Sequence, residues 1–322
     1  MTDVDVQFDS KPQKLKFSVF SDIHYNPGVS PSGDQEHLRI IQERAERENC
    51  DFIIQGGDLT HGPSREVVWD YLKMYNDFHI PSYNCLGNHD SDLTSFAETL
   101  QYYRMPNNYY YFDCKGYRMI VCDPNYFMLD GQCYHYDLGN YYAYMKQGSL
   151  RGLIPPEQLE WLRKTIDSAP GPCIILSHES FEREVNGIHN REEVLSVINA
   201  ANRKKPHSVL MCINGHHHRD HIRILDGVLY LGLNSASFGD MTKEHTFYPK
   251  ELREQYSSVS RLVFYNDPLH AVITVEGTAI TIDGMESSMF MGIYPEDAGT
   301  SRFDSAGRPL TPRVQSAKVT LG

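Results

Sequence analysis

Apolar positions recur along the chain in short runs, and several runs end in the same few polar residue types. Residues 15–20 alternate and then turn apolar before Ser21-Asp22-Ile23-His24. Residues 51–56 pass through Phe52, Ile53 and Ile54 into Gly57 and Asp58, and residues 80–86 end in Gly87-Asn88-His89-Asp90. Cys173-Ile174-Ile175-Leu176 leads into Ser177-His178-Glu179, and residues 208–213 lead into Asn214-Gly215-His216-His217-His218. Short apolar runs bounded by turn signals predict buried strands. Between them, residues 37–48, 66–78 and 191–201, and a stretch opening at Pro155-Pro156, carry apolar positions at helical spacing. Strand and helix alternating in series predict an α/β fold with a mostly parallel sheet, in which ligands bind outside the carboxyl ends of the strands. Asp22, His24, Asp58, Asn88 and His89 would share that rim.

The pattern then changes. Residues 109–113 and 117–123 read as a hairpin turning at Lys115-Gly116, whereas residues 124–152 are rich in Tyr and Gly with little periodicity. A long irregular stretch of that kind serves as a lid, a binding wall or an interface, or simply packs on the domain edge, and its tyrosines from Tyr126 to Tyr144 could stack on a base. Alternating stretches at 222–225, 228–233, 270–275 and 279–282 predict antiparallel strands completing a second sheet. Residues 241–261 form a polar, partly helical link, and the tail from Gly292, rich in Gly, Pro, Ser and Thr, is either a strap or mobile. The expected division is one domain over residues 1–290 and a C-terminal strap or tail over 291–322.

Composition narrows the function. A chain of 322 residues is long enough to bury a large core, and a net charge of -12 argues against binding long nucleic acid through a basic face. A small phosphate ester screened by metal remains compatible with that charge. No run is long and apolar enough to predict a membrane span, and the polar N-terminus has no signal-peptide core. A cytoplasmic protein is expected, unless a leader has been removed. The seven cysteines include no Cys-x-x-Cys pair and several sit in apolar runs, which predicts reduced buried thiols. Oligomeric state is not legible.

The strand endings carry the chemistry. Imidazoles, carboxylates and one carboxamide oxygen form a hard-to-borderline donor set suited to Mn, Fe, Zn, Co or Ni. Seven such donors exceed the needs of one ion and suit two ions about 3.5–4 Å apart, which clamp the attacking and leaving oxygens of a phosphoryl displacement.

The ordered set Asp22-x-His24, Gly57-Asp58, Gly87-Asn88-His89-Asp90, His178 and Gly215-His216-x-His218 resembles the calcineurin-like binuclear metallophosphoesterases, over residues 17–218. The resemblance implies the metallo-dependent phosphatase fold, a four-layer α-β-β-α sandwich of two mixed β-sheets flanked by helices. It also implies two divalent or trivalent transition ions: Asp22, His24 and His218 on the first, Asn88, His178 and His216 on the second, and Asp58 bridging them. His89 would contact the phosphoryl oxygen or protonate the leaving alkoxide, with Asp90 orienting its ring. The purple acid branch of this family has a Tyr three residues after the bridging Asp and lacks the first His; this chain has His61 and keeps His24. The expected activity is hydrolysis of a small organic or nucleotide phosphodiester by a metal-bridging hydroxide. A phosphomonoesterase, including a protein phosphatase, is the alternative, and an inactive binding scaffold is a further one. His217 and His221 read as polar neighbours of the ligands, and His61 and Asn190 as weaker substrate candidates. His216-His217-His218-Arg219-Asp220-His221 also fits the His-x-His-x-Asp-His pattern of metallo-β-lactamase-type hydrolases, a rival that leaves Asp22, His24, Asp58 and Asn88 unexplained.

Overall fold

Alternate residues of one strand face opposite sides of a sheet, and in the central strands both sides are buried. A computed structural model describes residues 12–29, 31, 33–61, 64–145, 150–241, 244–256 and 259–322. The polar residues 1–11, parts of the 241–261 link, residues 146–149 of the Tyr-rich stretch and the Tyr144 side chain lie outside the described residues.

The chain opens with β1 (Leu15–Phe20), α1 (Asp34–Arg47), β2 (Phe52–Gln55), α2 (Arg65–Asn76), β3 (Ser82–Asn84) and α3 (Phe96–Tyr102). There follow β4 (Tyr110–Cys114), β5 (Tyr117–Cys122), β6 (Tyr126–Leu129), β7 (Gln132–His135), α4 (Tyr141–Met145) and β8 (Leu150–Arg151). Next come α5 (Pro156–Asp167), β9 (Cys173–Ser177), α6 (Arg191–Lys204), β10 (Val209–Asn214), β11 (His221–Leu225) and β12 (Val228–Gly232). The last elements are β13 (Phe238–Asp240), α7 (Lys250–Gln255), β14 (Leu262–Phe264), β15 (Ala271–Glu276), β16 (Ala279–Gly284) and β17 (Ala317–Thr320).

One six-stranded sheet has the order β17-β16-β15-β1-β2-β3 and the other β11-β12-β10-β9-β5-β4. Phe17, Val19 and Ile54 of the first sheet pack against Met119, Val121, Ile174 and Leu176 of the second. On the outer face of the first sheet, Phe20 and Ile53 meet Leu38 and Ile41 of α1 and Leu72 and Tyr75 of α2. On the outer face of the second, Ile120 and Ile175 meet Leu162 and Ile166 of α5 and Val194 and Ile198 of α6. The architecture is therefore the four-layer α-β-β-α sandwich. β1, β2 and β3 run parallel, as do β5, β9, β10 and β12, so their carboxyl ends open on one rim.

Two expectations need correction. The hairpin β15-β16 does not complete the second sheet: β15 pairs antiparallel with β1 and extends the first. Ile273 and Val275 face the inter-sheet core while Val272 faces the helices, so β15 is an interior strand buried on both sides. The Tyr-rich stretch, read as irregular, contains a three-stranded sheet of order β7-β6-β8 and the short helix α4. Its hairpin turns at Asp130-Gly131, both with positive φ (51° and 77°), as a type I′ turn requires.

The tail returns to the body. Leu310, Val314 and Leu321 are buried in the inter-sheet core, and β17 pairs with β16 as the edge of the first sheet. All seven cysteines are free, and five of them are buried. Among the described residues, no helix is long and apolar enough to cross a membrane.

Candidate metal centre

The loops after β1 and β2 are joined through their backbones before any side chain is considered. Asp22 N donates to Gly57 O at 3.0 Å and His24 N to Asp58 O at 2.9 Å. Across the sandwich, Gly215 N donates to His178 O at 3.0 Å, and His216 N reaches both carboxylate oxygens of Asp22 at 3.1 and 3.0 Å. Asp22, His24, Asp58, His216 and His218 all have positive φ, between 49° and 67°. Such a backbone costs a non-glycine residue on the order of 1–3 kcal/mol and persists only where its surroundings impose it. Here it turns five donor side chains toward one point. Gly87 is required by close approach, because a Cβ there would meet the Asp58 carboxylate, and one at Gly57 (φ 102°) would meet the His178 ring.

Three groups have donor atoms close enough to hold one ion: two triads that carry a carboxylate, Asp22-His24-His218 and Asp58-His178-His216, and an all-imidazole group of His24, His61 and His89. His24 Nε2 lies 3.1 Å from His218 Nε2, and His218 Nε2 lies 3.3 Å from Asp22 Oδ1. In the second triad, His178 Nε2 lies 3.2 Å from Asp58 Oδ2 and 3.3 Å from His216 Nδ1. Donors bound about 2.0–2.2 Å from a shared ion sit roughly 3–3.5 Å from one another, so these spacings fit. Asp58 Oδ2 is also 3.7 Å from His24 Nε2, which places it between the triads. Asn88 lines the same cleft, and its Oδ1 is buried with no hydrogen-bond partner among the described residues. An orphaned buried acceptor costs about 1–3 kcal/mol, and a cation beside it removes that cost. His178 Nδ1 is 2.8 Å from Gly56 O, a contact that fixes its tautomer with Nε2 free to ligate.

The charges agree with this use. Burial opposes ionisation of Asp22, but His178 and His218 outweigh it and hold the carboxyl at about 2. Burial likewise opposes the cationic form of His178, yet Asp58 and Asp22 lift it to about 10. Burial and the His178 charge press His216 down to about 3. A binding cation thus meets two carboxylates and the neutral imidazoles of His24 and His216, and competes with protons on His178 and on His218, which Asp22 shifts upward against burial.

His89 and Asp90 separate in role. Asp90 does not touch the His89 ring: its Oδ2 accepts from Asp58 N at 2.9 Å and Gly87 N at 2.7 Å, and its Oδ1 from Thr60 N at 3.3 Å and the Tyr103 hydroxyl. The turn folds this side chain beneath the loop, where burial and the Asp58 charge raise it to about 7. The carboxylate that faces His89 is Asp92, whose Oδ2 lies 2.8 Å from Nδ1. Tyr142 Oη sits 3.0 Å from the same Nδ1 and donates to Asp92 at 3.2 Å, while Tyr141 donates to the other Asp92 oxygen at 3.0 Å. The His61 ring stacks on His89 at 4.2 Å. Burial disfavours charge on His89, but Asp58 and Asp92 outweigh it and raise the ring to about 9, so it holds a proton at neutral pH. Asp92 was legible as the residue three after His89 in a turn; Tyr141 and Tyr142 carried no local signal.

Asp90 therefore braces the Asp58 loop. Asp90→Ala should lower stability by roughly 3 kcal/mol, because the buried N–H groups of Asp58 and Gly87 both lose their acceptor. Urea unfolding measures it, and an unchanged midpoint would show that the brace carries no load.

The weaker candidates are also placed. Asn190 clips the backbone of Ile154 through Oδ1 and Nδ2 and stands apart from the triads. Asp220 accepts from Gln315 N and pairs with Arg313, so the rival His-x-His-x-Asp-His reading loses its carboxylate.

Comparison with known proteins gives a consistent result. The family described as calcineurin-like phosphoesterase matches residues 15–220. No curated protein matches the sequence. Among solved structures, a dimetal phosphatase from Danio rerio is similar at 15% identity over 96% of this chain and 99% of that one, with a TM-score of 0.60. GAP50, the anchor in the inner membrane complex of Plasmodium, is similar at 15% identity over 84% of each chain, with a TM-score of 0.51. At such identities the likeness is one of fold.

Proposed function

The chain belongs to the calcineurin-like phosphoesterase family of metal-dependent hydrolases, and from that premise we propose that it cleaves small phosphodiesters. One observation carries the diester reading. Two cavities share Asn88 and His216 in their walls. One, of about 440 Å3, runs along His24, His61, His89, Val29, Phe238 and Leu262. The other, of about 680 Å3, is walled by Arg151, Glu179, Arg183, His189, His217 and Asp304. A phosphorus atom between them can carry a substituent into each, whereas a monoester fills only one.

In this reading Asp22, His24 and His218 hold one transition ion, Asn88, His178 and His216 hold the second, and Asp58 is shared. Two such ions, when bound, supply Lewis acidity at the phosphoryl oxygens and lower the pKa of water. The protein does the rest. His89 donates its proton to the departing oxygen, Asp92 orients the His89 ring, and Asp90 fixes the loop that presents Asp58. The donor set does not select among Mn, Fe, Zn, Co and Ni.

The test compares a bis-aryl with a mono-aryl phosphate. The diester should be favoured in kcat/KM by at least about tenfold, equivalent to 1.36 kcal/mol of transition-state stabilisation from the second arm. A preference for the monoester would replace this reading with a phosphomonoesterase.

A further inference from the structure

The cavity beyond His217 holds polar groups that the metal centre does not use. Arg183 is buried, 3% exposed, with its guanidinium fixed on two sides: Nε donates to Val185 O at 2.7 Å and Nη2 to Asp304 Oδ2 at 2.6 Å. Its Nη1 is buried with no hydrogen-bond partner among the described residues, and so is His217 Nε2. Both residues wall the larger cavity. Asp304 is already committed, since its Oδ1 accepts from the backbone of Ala306 and Arg308 while Oδ2 takes Arg183. An unpaired buried N–H on a charged group costs more than one on a neutral group. Such a group in a native protein calls for an explanation, and a water, an ion or a bound ligand can each supply one. An anion with several oxygens can accept from Arg183 Nη1, with charge assistance from the guanidinium, and from His217 in the tautomer that carries its proton on Nε2. Glu179, buried on the same wall, offers acceptors to hydroxyl groups of the same ligand.

The two cavities also differ in where they place the proton donor. His89 lines the smaller cavity, beside Val29, Phe238 and Leu262, and does not line the larger one. Resting on the phosphodiesterase reading, we propose that the larger cavity is a subsite for a hydroxylated arm bearing a second phosphate or carboxylate, and that this arm stays on phosphorus. The arm in the smaller, partly apolar cavity leaves as its alcohol. Water oxygen forms the new bond to phosphorus, and the bond from phosphorus to the departing oxygen breaks. That oxygen keeps the electron pair and takes the His89 proton, while the proton released by the attacking water passes to solvent.

A mixed diester with one benzyl and one 2-phosphoethyl arm tests this on the metal-loaded full chain, beside a benzyl propyl diester as reference. The phosphoethyl substrate should show a KM at least about tenfold lower, the scale of one charge-assisted hydrogen bond. Phosphorus NMR should find the bisphosphate of ethylene glycol rather than benzyl phosphate, and proton NMR should find free benzyl alcohol. His217→Ala and Arg183→Gln should shrink the KM ratio, and His217→Ala serves where loss of Arg183 prevents folding. A carboxymethyl arm in place of phosphoethyl separates carboxylate from phosphate. Equal KM values with both diesters cleaved, or benzyl phosphate as the main product, would overturn the subsite and leave the phosphodiesterase intact. If neither diester is cleaved while aryl monoesters are, the phosphodiesterase reading fails and the subsite falls with it.

Discussion

Asp58→Ala will lose metal and hydrolysis together. Its carboxylate is the group placed between the two triads, 3.2 Å from His178 Nε2 and 3.7 Å from His24 Nε2 through one oxygen. The other oxygen accepts from His89 N at 2.8 Å, so the same side chain also sets the loop that carries the proton donor. Removing it takes a negative charge from both ion positions and leaves the cationic form of His178 without its strongest support. Groups that merely support a metal ligand are worth about 10–100-fold in affinity or activity, and Asp58 touches both positions, so the loss should exceed about 100-fold. Elemental analysis after dialysis, run beside diester turnover, measures both effects. An Asp58→Ala protein that keeps its ions and a tenth of its activity would remove Asp58 from the shared position.

His89→Ala should instead slow turnover while its metal content stays at the wild-type level. His89 pairs through Nδ1 with Asp92 and Tyr142, and its ring carries a proton at neutral pH. General acids contribute about 10²–10⁴-fold, and that contribution is needed most when the leaving alkoxide is strongly basic. The loss should therefore reach that range for an alkyl leaving group and be far smaller for nitrophenolate, which departs without a proton. An equal loss for both leaving groups would assign His89 to binding the phosphoryl oxygen rather than to proton transfer. A fall in metal content would make it a ligand.

The strand endings were legible because the chemistry is local. Asp22 and His24 follow β1, Asp58 follows β2, Asn88 and His89 follow β3, His178 follows β9, and His216 and His218 follow β10. Apolar runs revealed the strands, and a parallel arrangement places their carboxyl ends on one rim. What the sequence concealed depended on distant pairing. Residues 271–276 alternate in a way that suits either sheet, and only the pairing of Leu15 with Val275 assigns them to the first. Asp90 and Asp92 differ in sequence by two positions, but the turn buries one beneath the Asp58 loop and delivers the other to the His89 ring. Asp130-Gly131 marks the β6-β7 hairpin, and Ser95 with Glu98 forms the capping box that starts α3. The Tyr141 and Tyr142 contacts to Asp92 span about fifty residues of sequence, 49 and 50, and no local pattern announces them.

Metal titration of the chelated protein tests the central claim most directly. With hydrolysis of a bis-aryl phosphate followed against added Mn or Zn, the rate should begin near zero and reach its plateau at about two equivalents per chain, as two cooperating ions require. Full activity after chelation, or a plateau at one equivalent, would contradict a shared centre built by Asp22, His24, Asp58, Asn88, His178, His216 and His218.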